Sequence, residues 1–178
     1  MRSLMVAACV LIAAFPAFPQ SHPDAATYYL VESALGTRAA ESSQADALGS
    51  IGLRFSSVTD APPLTQLFRF VPAEIEGGFR IVTASTEEAL AGRGKGQTIA
   101  QAPVSDDKRQ IVFVDDLGGN AVRLRFAYSN LSWDGANGTA AAGTSIVEWS
   151  TESDKGRPGD RLRLLPWRSR RSSPMPHV

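Results

Sequence analysis

Cysteine and histidine are almost missing from this chain of 178 residues, which holds one cysteine, Cys9, and two histidines, His22 and His177. Cys9 lies in an N-terminal apolar run, so the rest of the chain has no thiol to form a disulfide, attack a substrate or ligate zinc. Both histidines sit near the ends, away from any ordered site, which argues against a positioned Ser-His pair or a histidine metal site. Neither a metal nor another cofactor is expected. An excess of either charge is missing too: eighteen Lys+Arg balance eighteen Asp+Glu. Nucleic-acid binders commonly carry a basic excess, so a nucleic acid is not the expected partner. With 43% apolar and 20% charged residues the composition is nevertheless that of a globular domain rather than a disordered one.

The charge balance is a sum over unlike segments. Residues 1–20 read as a secretory signal peptide: one Arg2, an apolar run from Leu4 to Ala14 too short to span a bilayer, then Pro and Ala punctuation. The mature protein is therefore expected to be secreted or periplasmic, with no stable membrane insertion once the leader is removed. A lipoprotein box at Val6-Ala7-Ala8-Cys9 and an uncleaved anchor stay as alternatives. Residues 167–178 hold Arg168, Arg170 and Arg171, no acid and no apolar period, and read as a disordered basic tail. With these three and Arg2 set aside, fourteen basic residues remain in the body against all eighteen acids. The body is mildly acidic.

Long runs with helical period are also lacking. Short alternating bursts separated by Gly, Pro, Asp and Ser predict an all-β domain of many short strands. Three bursts end alike: Gln66-Leu67-Phe68-Arg69-Phe70-Val71-Pro72, Gln110-Ile111-Val112-Phe113-Val114-Asp115 and Asp160-Arg161-Leu162-Arg163-Leu164-Leu165-Pro166, spaced by 44 and 50 residues. Tyr28-Tyr29-Leu30-Val31, Phe79-Arg80-Ile81-Val82 and Val122-Arg123-Leu124-Arg125 open the repeats. Ser50-Ile51-Gly52-Leu53, Thr98-Ile99-Ala100-Gln101 and Ser145-Ile146-Val147-Glu148 recur in mid-repeat at spacings of 48 and 47. Such a period indicates repeats that pool one core. The expected repeats run about 27–77, 78–120 and 121–166. The expected core is Tyr28, Leu30, Phe68, Phe70, Phe79, Ile81, Ile99, Val112, Val114, Leu124, Ile146, Leu162 and Leu164.

The third repeat runs Leu131-Ser132-Trp133-Asp134-Gly135-Ala136-Asn137-Gly138-Thr139, then Gly143-Thr144-Ser145-Ile146-Val147-Glu148-Trp149, and closes on the Asp160 to Pro166 strand. In this it resembles the ricin B-type lectin repeat, whose pattern is Leu-Asp-Val, a Gly-rich turn, Val-Gln-x-Trp and a closing Gln-x-Trp. The resemblance spans residues 27–166 and implies a β-trefoil of three four-stranded repeats with pseudo-threefold symmetry. It also implies a carbohydrate partner. An aspartate accepts hydrogen bonds from sugar hydroxyls while a ring stacks on the C–H face of the pyranose.

Carried over residue by residue, the resemblance gives Trp149 as the ring. Ser132 stands at the aspartate position with Asp134 two residues on, and Asp160 stands in place of the closing Gln. Trp149 filling a gap under a neighbouring loop and Asp134 capping a turn is the structural alternative. Repeat two has Leu90-Ala91 and Ala102 at the acid and ring positions; repeat one has Ala39-Ala40, with Arg54 or Phe55 near the ring position. Catalysis is not expected. The acid pairs Glu87-Glu88, Asp106-Asp107 and Asp115-Asp116 fall in predicted turns, where carboxylates are usually solvated. Gly92-Arg93-Gly94-Lys95-Gly96 lacks the end of a phosphate loop and reads as a flexible inter-strand loop. Asn130-Leu131-Ser132 and Asn137-Gly138-Thr139 fit the N-glycosylation pattern. Two functions remain: an exported, non-catalytic lectin-like domain that binds sugar weakly through repeat three, or the same scaffold binding a protein through its loops, for example as a protease inhibitor.

Overall fold

A computed structural model of the protein describes residues 23–36, 38–45, 51–150 and 158–167. The leader with Cys9, His22 and the basic residues 168–178 lie outside the described residues. Twelve strands follow one another: β1 Tyr28–Ser33, β2 Arg38–Ala45, β3 Ile51–Ser57, β4 Phe68–Pro72, β5 Gly78–Thr83, β6 Ala89–Ala91, β7 Ala100–Ala102, β8 Ile111–Gly118, β9 Ala121–Phe126, β10 Ser132–Gly135, β11 Ile146–Trp149 and β12 Leu162–Trp167. Trp167, expected as the first residue of the tail, is the last of β12 and pairs with Tyr28. Asp115 and Asp116, expected in a turn, lie within β8.

Six strands close on themselves. β1 pairs β4, β4 pairs β5, β5 pairs β8, β8 pairs β9, β9 pairs β12 and β12 returns to β1, every pairing antiparallel. Closure leaves this ring without a free edge. The other six strands form three hairpins, β2–β3, β6–β7 and β10–β11. The hairpins meet through equivalent contacts: Gly52 with Ala100, Thr98 with Val147 and Ser145 with Arg54. This barrel capped by three hairpins is a β-trefoil, as the resemblance implied.

The alternating pattern gives each barrel strand one buried face, and the three repeats supply equivalent side chains to it. Val31, Ile81 and Leu124 form one such set, and Tyr29, Phe79 and Val122 another. Phe68, Val112 and Leu162 form a third. The opening strand of repeat one is therefore one residue out of the expected phase. Tyr29 and Val31 enter the main core, whereas Tyr28 and Leu30 pack with Ala39, Leu67 and Trp167 in a smaller outer cluster. Tyr28 to Val31 is apolar on both faces, so alternation alone does not choose between them.

The mid-repeat register also shifts. Leu53 N–H donates to the Ile99 carbonyl (3.0 Å) and Ile99 N–H to the Ile146 carbonyl (3.1 Å). Leu53, rather than Ile51, is thus the counterpart of Ile99 and Ile146. The closing Gln positions are structural. Each sits in a one-turn 3-10 segment, Leu64–Gln66, Lys108–Gln110 or Pro158–Asp160, and each is buried. Gln66 Nε2 donates to the Ser57 carbonyl (3.0 Å), and Gln110 Nε2 to the Pro103 carbonyl (2.8 Å). Asp160 has no N–H to donate and accepts instead from Arg123 Nε (3.1 Å) and Nη2 (2.9 Å) at Oδ2.

Candidate functional site

The hairpin of the third repeat places its chemistry by strand register. Across β10–β11, Ser132 faces Trp149, Trp133 faces Glu148 and Asp134 faces Val147. Side chains alternate, so Trp133 and Glu148 project to one side while Asp134, Val147 and Trp149 belong to the other. Trp133 is wholly buried in the core. Asp134, Val147 and Trp149 line an open groove of about 440 Å³ with Gly135, Ala136, Asn137 and Gly96.

Gly135 and Asn137 line it, and Gly159 packs against its acid. A side chain at Gly135 would collide with the Thr139 carbonyl, and one at Gly159 would collide with the Asp134 carboxylate. Asn137 takes a left-handed conformation (φ 62°), which Asn tolerates better than most residues. The hairpin turn therefore folds tightly against the acid, which is only 3% exposed.

The wall opposite comes from repeat two. Its loop between β6 and β7 carries Gly96 to the Trp149 ring and places Lys95 Nζ 5.1 Å from that ring's centroid. The loop is held, not slack as the glycines suggested. Gly94 N–H donates to Glu148 Oε1 (2.6 Å), Gly96 N–H to the Glu148 carbonyl (2.7 Å), and Glu148 N–H to the Gln97 carbonyl (3.1 Å). Gly94 and Gly96 both have positive φ, which this path requires.

Glu148 has no exposed surface, and its carboxylate is satisfied by neutral donors. Besides Gly94, Tyr128 Oη donates to it at 2.8 Å and Ser129 Oγ at 2.9 Å. Burial, followed by the hydrogen bond and negative charge of Glu148, pushes the Tyr128 phenol up to about 12. Sequence reasoning missed Glu148. A glutamate at an alternate strand position reads as solvent-facing, and its donors lie nineteen to fifty-four residues away in the chain.

Of the residues singled out from the sequence, Trp149 and Asp134 come together in the groove. Ser132 is buried and Asp160 is engaged by Arg123; neither lines it. Register fixes the counterparts in the other repeats. Glu41, Ala91 and Asp134 are equivalent, as are Ser56, Ala102 and Trp149. The ring position of repeat one is therefore Ser56. Phe55 is buried core, and Arg54 reaches across the hairpin to Glu41 (3.6 Å).

A closed six-stranded barrel capped by three hairpins defines the class of β-trefoil domains. Within it, residues 64–149 match the family described as ricin-type β-trefoil lectin domain-like, and the resemblance read from the sequence is borne out. No curated protein matches the chain. Among solved structures it is similar to ThreeFoil, a designed threefold-symmetric protein, at 20% identity and a TM-score of 0.68, covering 78% of this chain and 97% of that one. It is also similar to a Polyporus squamosus lectin solved with a Neu5Ac-containing epitope, at 14% identity and a TM-score of 0.64, covering 78% of this chain and 48% of the lectin. An exo-β-1,3-galactanase from Clostridium thermocellum matches at 18% identity and a TM-score of 0.66, over 79% of this chain and 30% of the enzyme. The chain thus corresponds to one part of the latter two proteins. At these identities the likeness establishes the fold. Among the described residues, no helix is long and apolar enough to cross a membrane.

Proposed function

We propose that the protein is an exported, non-catalytic carbohydrate-binding domain that takes a sugar weakly in the groove of its third repeat. The observation that carries this reading is the convergence of Asp134 and Trp149 on one open groove. A carboxylate accepts directional hydrogen bonds from vicinal hydroxyls, an indole offers an apolar surface to the C–H face, and Asn137 adds an amide able both to donate and to accept. A shallow site with one acid and one ring suits weak, reversible binding.

The test is a glycan array probed with the wild-type chain and with Trp149→Ala. Glycan binding that drops by about tenfold in the variant, the scale of a lost aromatic contact, supports the proposal. Binding to no glycan, together with inhibition of a protease, overturns it in favour of the loop-mediated protein binder.

A further inference from the structure

Lys95 sits where a neutral sugar would meet an obstacle. Its ammonium lies over the Trp149 ring, 5.1 Å from the centroid, and its neighbour Gly96 lines the groove with that ring. Arg93 precedes it on the same loop, and both are exposed. Among the described residues neither forms an ion pair. The loop that carries them is pinned through Gly94, Gly96 and Gln97 to Glu148, so the two cations are presented from a fixed backbone. Asp134 lies deeper, at the hairpin turn, and only 3% of its surface is exposed. The groove therefore joins two different chemistries, a carboxylate low on the repeat-three side and, at the Trp149 ring, a repeat-two ammonium that forms no ion pair among the described residues.

From this arrangement we infer that the groove selects anionic sugars, bearing a carboxylate or a sulfate ester, and that Lys95 is the residue that sets this preference. The inference rests on the carbohydrate reading of the same groove. A neutral pyranose stacking on the face covered by Lys95 must displace the ammonium and gains nothing in exchange. An anionic sugar draws the ammonium off the ring into a charge-assisted hydrogen bond, uncovering the indole as it binds. Its neutral hydroxyls are left to Asp134, so the acid and the anion need not approach.

The experiment is calorimetric titration of the full chain with glucose, glucuronate and glucose 6-sulfate, and with the same three in the galacto series. The expected result is binding of at least one acidic sugar about tenfold tighter than its neutral parent, in line with a hydrogen bond to a charged group. The carboxylate and sulfate arms report which anion is preferred. Lys95→Met should remove the difference, weakening acidic-sugar binding and tightening neutral-sugar binding because no ammonium then has to be displaced; Lys95→Arg should retain it, and about 0.5 M NaCl should shrink it. Equal affinity for neutral and acidic members, or a preference that survives Lys95→Met, overturns the inference and leaves the carbohydrate reading standing. Binding of none of the six overturns both.

Discussion

The hairpins of repeats one and three are built on the same register, yet one has closed its acid position and the other has left a groove. In repeat one Glu41 faces Arg54 and also accepts from Thr65 Oγ1 (3.1 Å), so its carboxylate is taken up within the protein. In repeat three the residue facing Asp134 is Val147, which offers no charge, and Trp149 replaces Ser56 two residues on. Repeat two has alanine at both positions. The groove thus goes with an apolar residue across the hairpin from the acid and a ring on its flank.

The comparison extends beneath the groove. Trp133, Leu90 and Ala40 occupy equivalent inward positions and all are buried. These equivalent positions are filled by side chains of very unequal size, the largest on the hairpin that carries the candidate site. Trp133→Ala should therefore cost about 3 to 5 kcal/mol in chemical denaturation. A cost below about 1 kcal/mol would mean the hairpin does not rest on that ring.

A smaller effect tests the clamp that distinguishes repeat three. Tyr128 should ionise at about 12 in an absorbance titration, above an ordinary tyrosine at 10.0, because burial and Glu148 favour the neutral phenol. The folded state holds this proton more tightly than the unfolded one. The resulting stability is complete below pH 10 and declines as pH rises from 10 towards 12. Glu148→Gln should move the phenol back towards the ordinary value, and an unchanged titration would separate Tyr128 from the clamp.

The smallest effect concerns repeat one. Arg54 is 47% exposed, so Arg54→Ala should cost at most about 1 kcal/mol after solvent screening. A loss beyond about 2 kcal/mol would show that the Glu41 pair holds the hairpin rather than merely occupying its acid.

Much of the fold is legible in the sequence. The closing strands were legible because Phe68, Val112 and Leu162 each follow a polar residue by two and face one core, and the resemblance then supplied the barrel. Unit one was harder. Tyr28 to Val31 is apolar throughout, and Ile51 and Leu53 share one parity, so the pattern fits either register; hydrogen bonds between repeats choose Leu53. Trp149 and Asp134 were visible by type and motif. Ser132 and Asp134 share one face of β10, and it is position along the strand, with Asp134 next to the turn at Gly135, that puts Asp134 and not Ser132 in the groove. The burial of Glu148 depends on a loop from another repeat, which local sequence does not record.

That loop has a consequence for how such a domain arises by duplication. The groove of repeat three takes Gly96 of its lining from repeat two, which also lays Lys95 over the Trp149 ring. Copying repeat three alone would reproduce the acid and the ring without the wall that faces them. The unit that reproduces the groove is the junction between two neighbouring copies, so a mutation in repeat two can reshape a groove whose acid and ring belong to repeat three.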